Sequence, residues 1–478
     1  MASISSPGIG SGLDVNTIVS QMMAVEKRPL QLLQTSASSL DAKISSYGQV
    51  KSALSALYDA ANGLMGSSVW QSKQFATTDK DAVTGSVSTA AVAGNFSLQV
   101  TALASSQSLA SGSFASGAVM GSAGTLSLQT GRWDAVGTGF TAAGAKVDIS
   151  IAATDTLADV AGKINGANAG VSAVVVKGTN GDQLLVRGTK TGQENGFSMS
   201  VLDDGTPPAP PAPGSALNKL VYDQASVSAA QAGIMSRTVK ASDATFTING
   251  IEATSATNTV ADVVPGVTLN LLKTTTTPVE VTVSADKKAV RDKVEAFQQA
   301  YNKINTLLAD LTRYDQSSKT AQPLQGDSTA TGLQNALRGL LGRPDATGTY
   351  FTNVGLELQR DGSLSINAGK LDAALNDLPK LEQTLTASTG NAATDGLVTR
   401  MRDFVFGANG VEGNITGRSK ALEAAKKRNQ SEQETMSLRL EQRQKNMLKQ
   451  YQALDAKLGS MGSLNSFMTS QISQWNKS

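Results

Sequence analysis

The sequence predicts an α+β multidomain protein in which a helical coiled-coil terminal stalk brackets a β-rich head of two nested small β domains. Three observations support this prediction: apolar residues follow a heptad spacing near the N terminus, they follow the same spacing near the C terminus, and the long segment between them alternates with a period of two. A period of 3.5 is typical of helices that pack along a seam, whereas a period of two is typical of strands with one buried face. The two termini are therefore expected to differ in structure from the middle.

The first heptad run extends from Leu30 to Ala61, and a helix with this spacing keeps one apolar stripe facing a partner helix. For one end alone, an ordinary amphipathic core helix is an equally good interpretation, but both ends together favour terminal helices that pack on each other and on other subunits. The positions that we expect to pack are Leu30, Leu33, Leu40, Ile44, Tyr47, Leu54 and Tyr58.

A shorter helix is expected before this run. Asp14 or Asn16 would cap it, and Pro29 predicts a break between the two helices. The glycines at 63 and 66 are expected to end the long helix. The run Gly8–Gly12 follows no strand and lacks the glycine spacing of a phosphate-binding loop, so it does not indicate a nucleotide site.

The C-terminal part of the chain repeats the helical period. A further heptad helix is predicted from Val290 to Leu311, shorter helices at 328–341, 368–378 and 395–406, and a final long helix beginning near Ser419. A hairpin is expected to turn at Asp361-Gly362, where the ligand spacing of a calcium loop is missing. The seam positions are Val294, Phe297, Tyr301, Ile304 and Leu308 in the first of these helices, and Leu440, Met447, Tyr451, Leu454, Leu458, Met461, Met468 and Ile472 in the last.

The middle of the chain carries strand and turn patterns. Alternating residues predict strands at 96–102, 126–128, 147–151, 267–272 and 279–284, and Thr156–Asn165 is expected to be a short capped helix. Hairpins are predicted around Asn180-Gly181 and Asn249-Gly250. The proline-rich segment Thr206–Gly214 is expected to be a stiff surface loop that joins neither sheet nor helix.

These elements predict a nested domain order. Residues 1–44 and 435–478 would be terminal helices that become ordered on assembly, because isolated helices with narrow apolar stripes are marginally stable. Residues 45–73 with 285–434 would form a helical bundle. Residues 74–104 with 238–284 would form the first β domain, and residues 105–237 the second, inserted one.

The composition excludes several classes of function. With no Cys and no His, the 478-residue chain cannot use disulfides, thiolate zinc sites, cysteine nucleophiles or histidine-based triads. A net charge of +2 argues against nucleic-acid binding, and no apolar run is long enough to span a membrane. Residues 1–21 lack the pattern of a secretory leader, so an extracellular protein would need export without a cleaved signal peptide.

No catalytic residue, cofactor site or metal site is predicted. Asp203-Asp204 is the best candidate for a pair of glycosidase carboxylates, but adjacent acids in a Gly/Pro loop are far more often solvated turn residues. The chain is therefore interpreted as a structural protein and not as an enzyme.

The stretch Ile4–Leu30, with the sequence ISSPGIGSGLDVNTIVSQMMAVEKRPL, closely resembles the N-terminal motif of the bacterial flagellar filament cap family, also called the hook-associated protein 2 family. Further stretches similar to this family are FTING from Phe246, NTV from Asn258, PGVTL from Pro265, GDST from Gly326, QRDGSL from Gln359, KLDAAL from Lys370 and QYQALD from Gln450. Residues 156–188 are similar to a small module that recurs in flagellin and hook-associated proteins. Residues 112–141 and the proline-rich loop match no motif of the family.

The resemblance implies an extracellular protein at the distal tip of the flagellar filament, delivered by type III export. It implies a ring-shaped homo-oligomer, a pentamer or a hexamer, that retains flagellin and promotes its folding and insertion. Expected partners are flagellin, the hook–filament junction protein and a cytoplasmic export chaperone, with no nucleic acid and no membrane insertion. Two alternatives stay open at this point: a hook–filament junction protein, and a coiled-coil surface adhesin whose head binds host glycans.

Overall fold

The computed structural model describes residues 14–205, 207–317 and 319–475. The Gly8–Gly12 run and the first part of the Ile4–Leu30 motif lie outside the described residues. The chain divides into two compact units, Met1–Trp70 with Lys287–Ser478 and Gln71–Asp286. We call them the helical unit and the β unit.

The α+β class, with helical ends and a strand-rich middle, is confirmed. The helices are α1 (Val15–Glu26), α2 (Arg28–Met65), α3 (Ser67–Trp70), α4 (Leu157–Gly166), α5 (Gln224–Ser228), α6 (Lys287–Thr312), α7 (Ser328–Leu341), α8 (Ala368–Ala374), α9 (Leu378–Thr386), α10 (Leu397–Asn409) and α11 (Asn414–Trp475). The strands are β1 (Lys73–Thr77), β2 (Val83–Val87), β3 (Gly94–Ala102), β4 (Ser108–Ala110), β5 (Gly124–Trp133), β6 (Phe140–Ala142), β7 (Val147–Ile151), β8 (Val171–Gly178), β9 (Gly181–Gly188), β10 (Gly196–Asp203), β11 (Ser236–Val239), β12 (Ala244–Ile248), β13 (Ile251–Ser255), β14 (Thr259–Val264), β15 (Val267–Leu271), β16 (Val279–Ala285), β17 (Tyr314–Asp315), β18 (Thr320–Ala321), β19 (Leu356–Leu358) and β20 (Leu364–Ile366).

The β unit is nested. A five-stranded sheet in the order β1-β16-β3-β12-β13 joins the two ends of the unit, so the segment between β3 and β12 is an insertion. The insertion contains the sheet β11-β4-β9-β8 and a second sheet in which β5 pairs with β10, β6 and β7. Separate apolar cores lie around Phe246 in the outer part and around Phe197 in the insertion.

Local turn and cap chemistry explains why several predicted elements are found. Thr156 and Asp159 form a capping box at the start of α4, where Thr156 Oγ1 accepts a hydrogen bond from the Asp159 amide. The β12–β13 hairpin turns at Asn249 and Gly250, whose φ values of +49° and +81° lie in the left-handed region that asparagine and glycine tolerate best. The predicted break at Pro29 is also confirmed, because α1 ends at Glu26 and α2 begins at Arg28.

Three predicted boundaries are wrong. The final helix begins at Asn414 and not near Ser419. Ile415 in its first turn is buried in the main apolar core, seven residues before the buried Leu422, and the prediction overlooked this helical spacing. The helix predicted over 368–378 ends at Ala374, and a separate helix begins at Leu378, where the Asp377 side chain accepts from the Lys380 amide and proline occupies the first turn. The helix predicted over 395–406 runs from Leu397 to Asn409.

The proline-rich loop is not wholly separate from the sheets. The Asp203 amide of β10 donates a hydrogen bond of 2.9 Å to the Ala209 carbonyl, so the loop meets the edge of this strand. A proline-rich sequence can still accept hydrogen bonds through its carbonyl groups, which the prediction overlooked.

Candidate assembly surface

The two ends of the chain pack side by side within the helical unit. Asp41 of α2 pairs with Lys426 of α11 at 2.5 Å, and Glu26 of α1 pairs with Arg443 at 3.3 Å. Residue numbers fall along α1 and α2 as they rise along α11, so these helices run antiparallel. Both ion pairs are largely exposed and contribute little stability, but they define the register of the two ends.

The predicted seam of α2 lies partly inside this unit. Tyr47 and Leu54 are buried in its main apolar core, and Leu40, Ile44 and Tyr58 pack against that core while half-buried. The residues of α6 are buried more completely: Val294, Phe297, Tyr301, Ile304 and Leu308 are all fully enclosed. Burial raises the pKa of Tyr301 to about 12, and its hydroxyl donates to the Gly362 carbonyl at 3.1 Å. Side chains enclosed in this way stabilise the subunit and present no surface to a neighbour.

A second, smaller apolar cluster joins α1 to α11. Leu440 and Met447 are buried against Val15, Val19 and Met23. Leu30 and Tyr451 pack on the cluster while partly buried.

The stripe of α11 continues past this cluster without cover from the rest of the described chain. Leu454 is 45% exposed and Leu458 is 38% exposed, although the heptad pattern predicts that both face a packed seam. The described part of the chain does not cover them, since α1 begins at Val15, so the packed seam at these two residues stays a prediction about the assembled protein. We define the "C-terminal stripe" as the exposed apolar residues Leu454, Leu458, Met461, Leu464, Phe467, Met468 and Ile472.

Sequence analysis did not predict two members of the C-terminal stripe. Leu464 and Phe467 are 59% and 60% exposed and lie beside the heptad positions, one of which is the polar Asn465. The spacing of three residues from Leu464 to Phe467 is typical of one face of a helix, and both residues could have been predicted from it. Their inclusion makes the apolar surface wider than a strict heptad seam.

An apolar groove lies further along the same helices. It has a volume of about 640 Å³ and is lined by Pro29, Leu32 and Leu33 on one side and by Met436 and Arg439 on the other. Leu33, a predicted seam residue, therefore lines a groove open to solvent.

A buried polar cluster fixes the start of α11, and sequence analysis did not predict it. The Asp327 side chain accepts hydrogen bonds from the Tyr47 hydroxyl at 2.7 Å and from Arg418 Nε and Nη2 at 3.1 and 2.8 Å. The Thr329 and Ala330 amides donate to the same carboxylate, which caps α7. Burial alone would raise the pKa of Asp327, but the hydrogen bonds from Tyr47 and Arg418 hold that pKa below its ordinary value.

The described residues contain no group of three or more acidic side chains that could hold a metal ion. None of the helices in the described ranges is long and apolar enough to cross a membrane. Asp203 and Asp204 lie at the end of β10, where the Asp203 amide bonds to the proline-rich loop.

Models of known protein families match three parts of the chain. The model of the flagellar hook-associated protein 2 N-terminus matches residues 11–107, the model of its C-terminus matches residues 241–463, and the flagellin hook IN motif matches residues 135–190.

Relatives and solved structures agree with these matches. The A-type flagellar hook-associated protein 2 of Pseudomonas aeruginosa is 31% identical over 494 residues, which cover 98% of this chain and 96% of the relative. The flagellar hook-associated protein 2 of Escherichia coli K12 is 28% identical over 489 residues, which cover 99% of this chain and 98% of the relative. The crystal structure of the D1-D2-D3 domains of the flagellar cap protein FliD from Escherichia coli aligns with a TM-score of 0.57 at 25% identity, covering 79% of this chain and 99% of that structure. This end-to-end similarity shows that the chain belongs to the flagellar hook-associated protein 2 family, the family of the flagellar filament cap.

Proposed function

We propose that this chain is a subunit of the cap at the distal end of the flagellar filament, where it retains exported flagellin and promotes its folding and insertion. The observation that carries the assembly part of this proposal is the C-terminal stripe, which continues a packed seam but has no cover within the described chain. A surface of this kind is suited to contact with another helix, because burying a large apolar side chain contributes roughly 1.5–3 kcal/mol.

In this proposal, neighbouring molecules cover the C-terminal stripe when the cap assembles. An isolated helix with an exposed apolar stripe is marginally stable, and Gly459 and Gly462 lower its helix propensity further. Contacts with neighbouring cap subunits and with flagellin would offset this cost. The part of α11 that carries the C-terminal stripe, residues 454–472, is therefore expected to become fully ordered only at the filament tip.

The proposed partners are further copies of this chain in a ring of five or six subunits, flagellin, the hook–filament junction protein and an export chaperone. The proposed location is extracellular, reached by type III export without a cleaved signal peptide. A structural role requires no catalytic residue, cofactor or metal, and we propose none. The matches to hook-associated protein 2 support the filament cap over the junction protein or a surface adhesin.

Complementation of cells that lack the chain tests this function. Without a cap, exported flagellin should be lost to the medium, and the wild-type chain should restore filaments. Met461→Asp places a charge in the C-terminal stripe and should fail to restore them, whereas Gln452→Asp, on an exposed position of the same helix, should succeed. Full filament growth with Met461→Asp would remove the stripe from the mechanism, and full growth in cells without the chain would overturn the capping function itself.

A further inference from the structure

Strand β10 lies at one edge of its sheet. It pairs along its whole length with β5, and β5 pairs with β6 and β7 on its other side. The outer side of an edge strand presents unpaired N–H and C=O groups, which can pair with a strand from another molecule. Whether these groups on β10 are hydrogen-bonded therefore affects whether neighbouring copies of the chain can associate through this strand.

Groups that are not part of any strand occupy the outer side of β10. At Phe197, the Gln107 side-chain amide accepts from the backbone N–H at 3.0 Å and donates to the carbonyl at 2.8 Å. At Met199, the backbone of Tyr222 makes both hydrogen bonds, at 2.8 and 2.7 Å. At Asp203, the N–H donates to the Ala209 carbonyl. The outward-facing residues alternate along the strand, and these contacts hold three of them: Phe197 and Met199 through groups outside the proline-rich loop, and Asp203 through the loop.

Ala209 belongs to the proline-rich loop, and the chemistry of that loop is unusual for a sheet edge. Five of the seven residues in 207–213 are proline, namely Pro207, Pro208, Pro210, Pro211 and Pro213. Proline has no backbone N–H, so it can accept a hydrogen bond from a neighbouring strand but cannot return one. Pro211 is buried and anchors the loop, whereas the other four prolines are exposed.

We propose that the proline-rich loop protects the edge of β10 from pairing with β10 of a second copy of this chain. The loop satisfies the last outward donor of the strand and then presents to solvent a segment that cannot continue a ladder of hydrogen bonds. An ordinary loop at this place would leave the end of β10 beyond Met199 free to extend the sheet between molecules. The protection does not depend on the capping function, although it is useful wherever many copies lie close together.

Cysteine cross-linking tests this protection in the full-length chain, whose natural sequence contains no cysteine. Leu202→Cys places one thiol on β10, at a position that is 42% exposed. Because Phe197 and Met199 stay occupied, two β10 strands can pair antiparallel only through their ends near Leu202, and a pair centred there brings the two thiols close enough for a disulfide. Pro207→Thr, Pro208→Thr, Pro210→Thr and Pro213→Thr together restore four N–H groups and leave the buried Pro211 in place. The matched control, Ala209→Thr with Ala212→Thr, adds the same kind of side chain and keeps every proline.

The proline variant should form cross-linked dimers under mild oxidation, and its sedimentation mass should rise with concentration above that of the control. The control and the natural loop should give few cross-links. Equal cross-linking with all three loops would show that the loop gives no protection, and no cross-linking with any loop would show that β10 cannot pair even when exposed. Either result overturns the proposal.

Hydrogen exchange on the unmodified protein gives a second test that needs no variant. The Asp203 and Met199 amides should both exchange slowly, because both donate to carbonyl groups outside the sheet. Free exchange at Asp203 beside a protected Met199 would mean that the loop does not cover the strand, and the proposal would be abandoned.

Discussion

Asp327→Ala should strongly destabilise the helical unit. The Asp327 side chain is only 3% exposed, and it accepts hydrogen bonds from Tyr47 on α2, from Arg418 on α11 and from two amides of α7. Removing it eliminates the cap of α7, which costs about 1 kcal/mol. It also leaves a buried hydroxyl and a partly buried guanidinium without their partner, and breaking a buried charge pair costs roughly 3–5 kcal/mol. Because Arg418 is 38% exposed and can still reach water, we expect a total loss of about 3–4 kcal/mol.

Urea unfolding followed by circular dichroism at a helical wavelength measures this loss. The matched control is Asp310→Ala, which removes an exposed carboxylate paired at 3.6 Å with Arg313 and should cost no more than about 1 kcal/mol. A loss below about 1 kcal/mol for Asp327→Ala would refute the reasoning, because the cluster would then contribute no more than a surface pair.

The acid dependence of stability provides an independent check on the same carboxylate. The folded-state pKa of Asp327 lies below the ordinary value of 3.8, so folding is favoured by its ionised form. Its contribution is fully present above pH 3.8 and is lost as the pH falls through the lower, folded-state pKa. Asp327→Asn does not titrate, so the wild type should lose more stability than this variant between about pH 5 and pH 2. Parallel curves for the two proteins would show that Asp327 is not the responsible group.

Three further predictions concern the helical unit, the β unit and the assembly surface. Leu54→Asp should lower the free energy of unfolding in urea by several kcal/mol, because it buries a charge in the main core. The control Gln49→Asp, on the exposed face of the same helix, should change it by less than about 0.5 kcal/mol. A fragment spanning 71–286 should unfold cooperatively in urea with β-type circular dichroism, because the β unit has its own apolar cores; a gradual, non-cooperative profile would contradict this. The Leu458→Asp variant should be as stable in urea as the Gln452→Asp variant, but it should no longer bind to filament tips as a purified protein. A large loss of stability would show that the C-terminal stripe is covered within one chain.

Elements specified by neighbouring residues were predictable from the sequence. The helix expected at 328–341 is α7, since Asp327 caps its start and apolar residues recur on one face. The β8–β9 hairpin was predicted because strand periodicity on both sides surrounds Asn180-Gly181. Each of these signals lies within a few residues of the element that it specifies.

Contacts between distant residues were not predictable. Asp327 lies 280 positions from Tyr47 and 91 from Arg418, and no local pattern indicates that the three side chains meet. The heptad spacing of α11 does predict which side of the helix is apolar. The heptad spacing alone does not predict that α1 buries Leu440 and leaves Leu458 exposed. Burial of each residue depends on where the partner helix ends.

Localisation of the labelled protein on isolated flagella tests the filament-cap function most directly. A small label on the exposed Val136 of the β unit lies far in sequence from the C-terminal stripe, and imaging by electron microscopy would show where the label sits. The cap function predicts label at the distal tip of each filament and flagellin loss whenever the tip is unlabelled. Label confined to the junction of hook and filament, or spread over the cell surface, would contradict it.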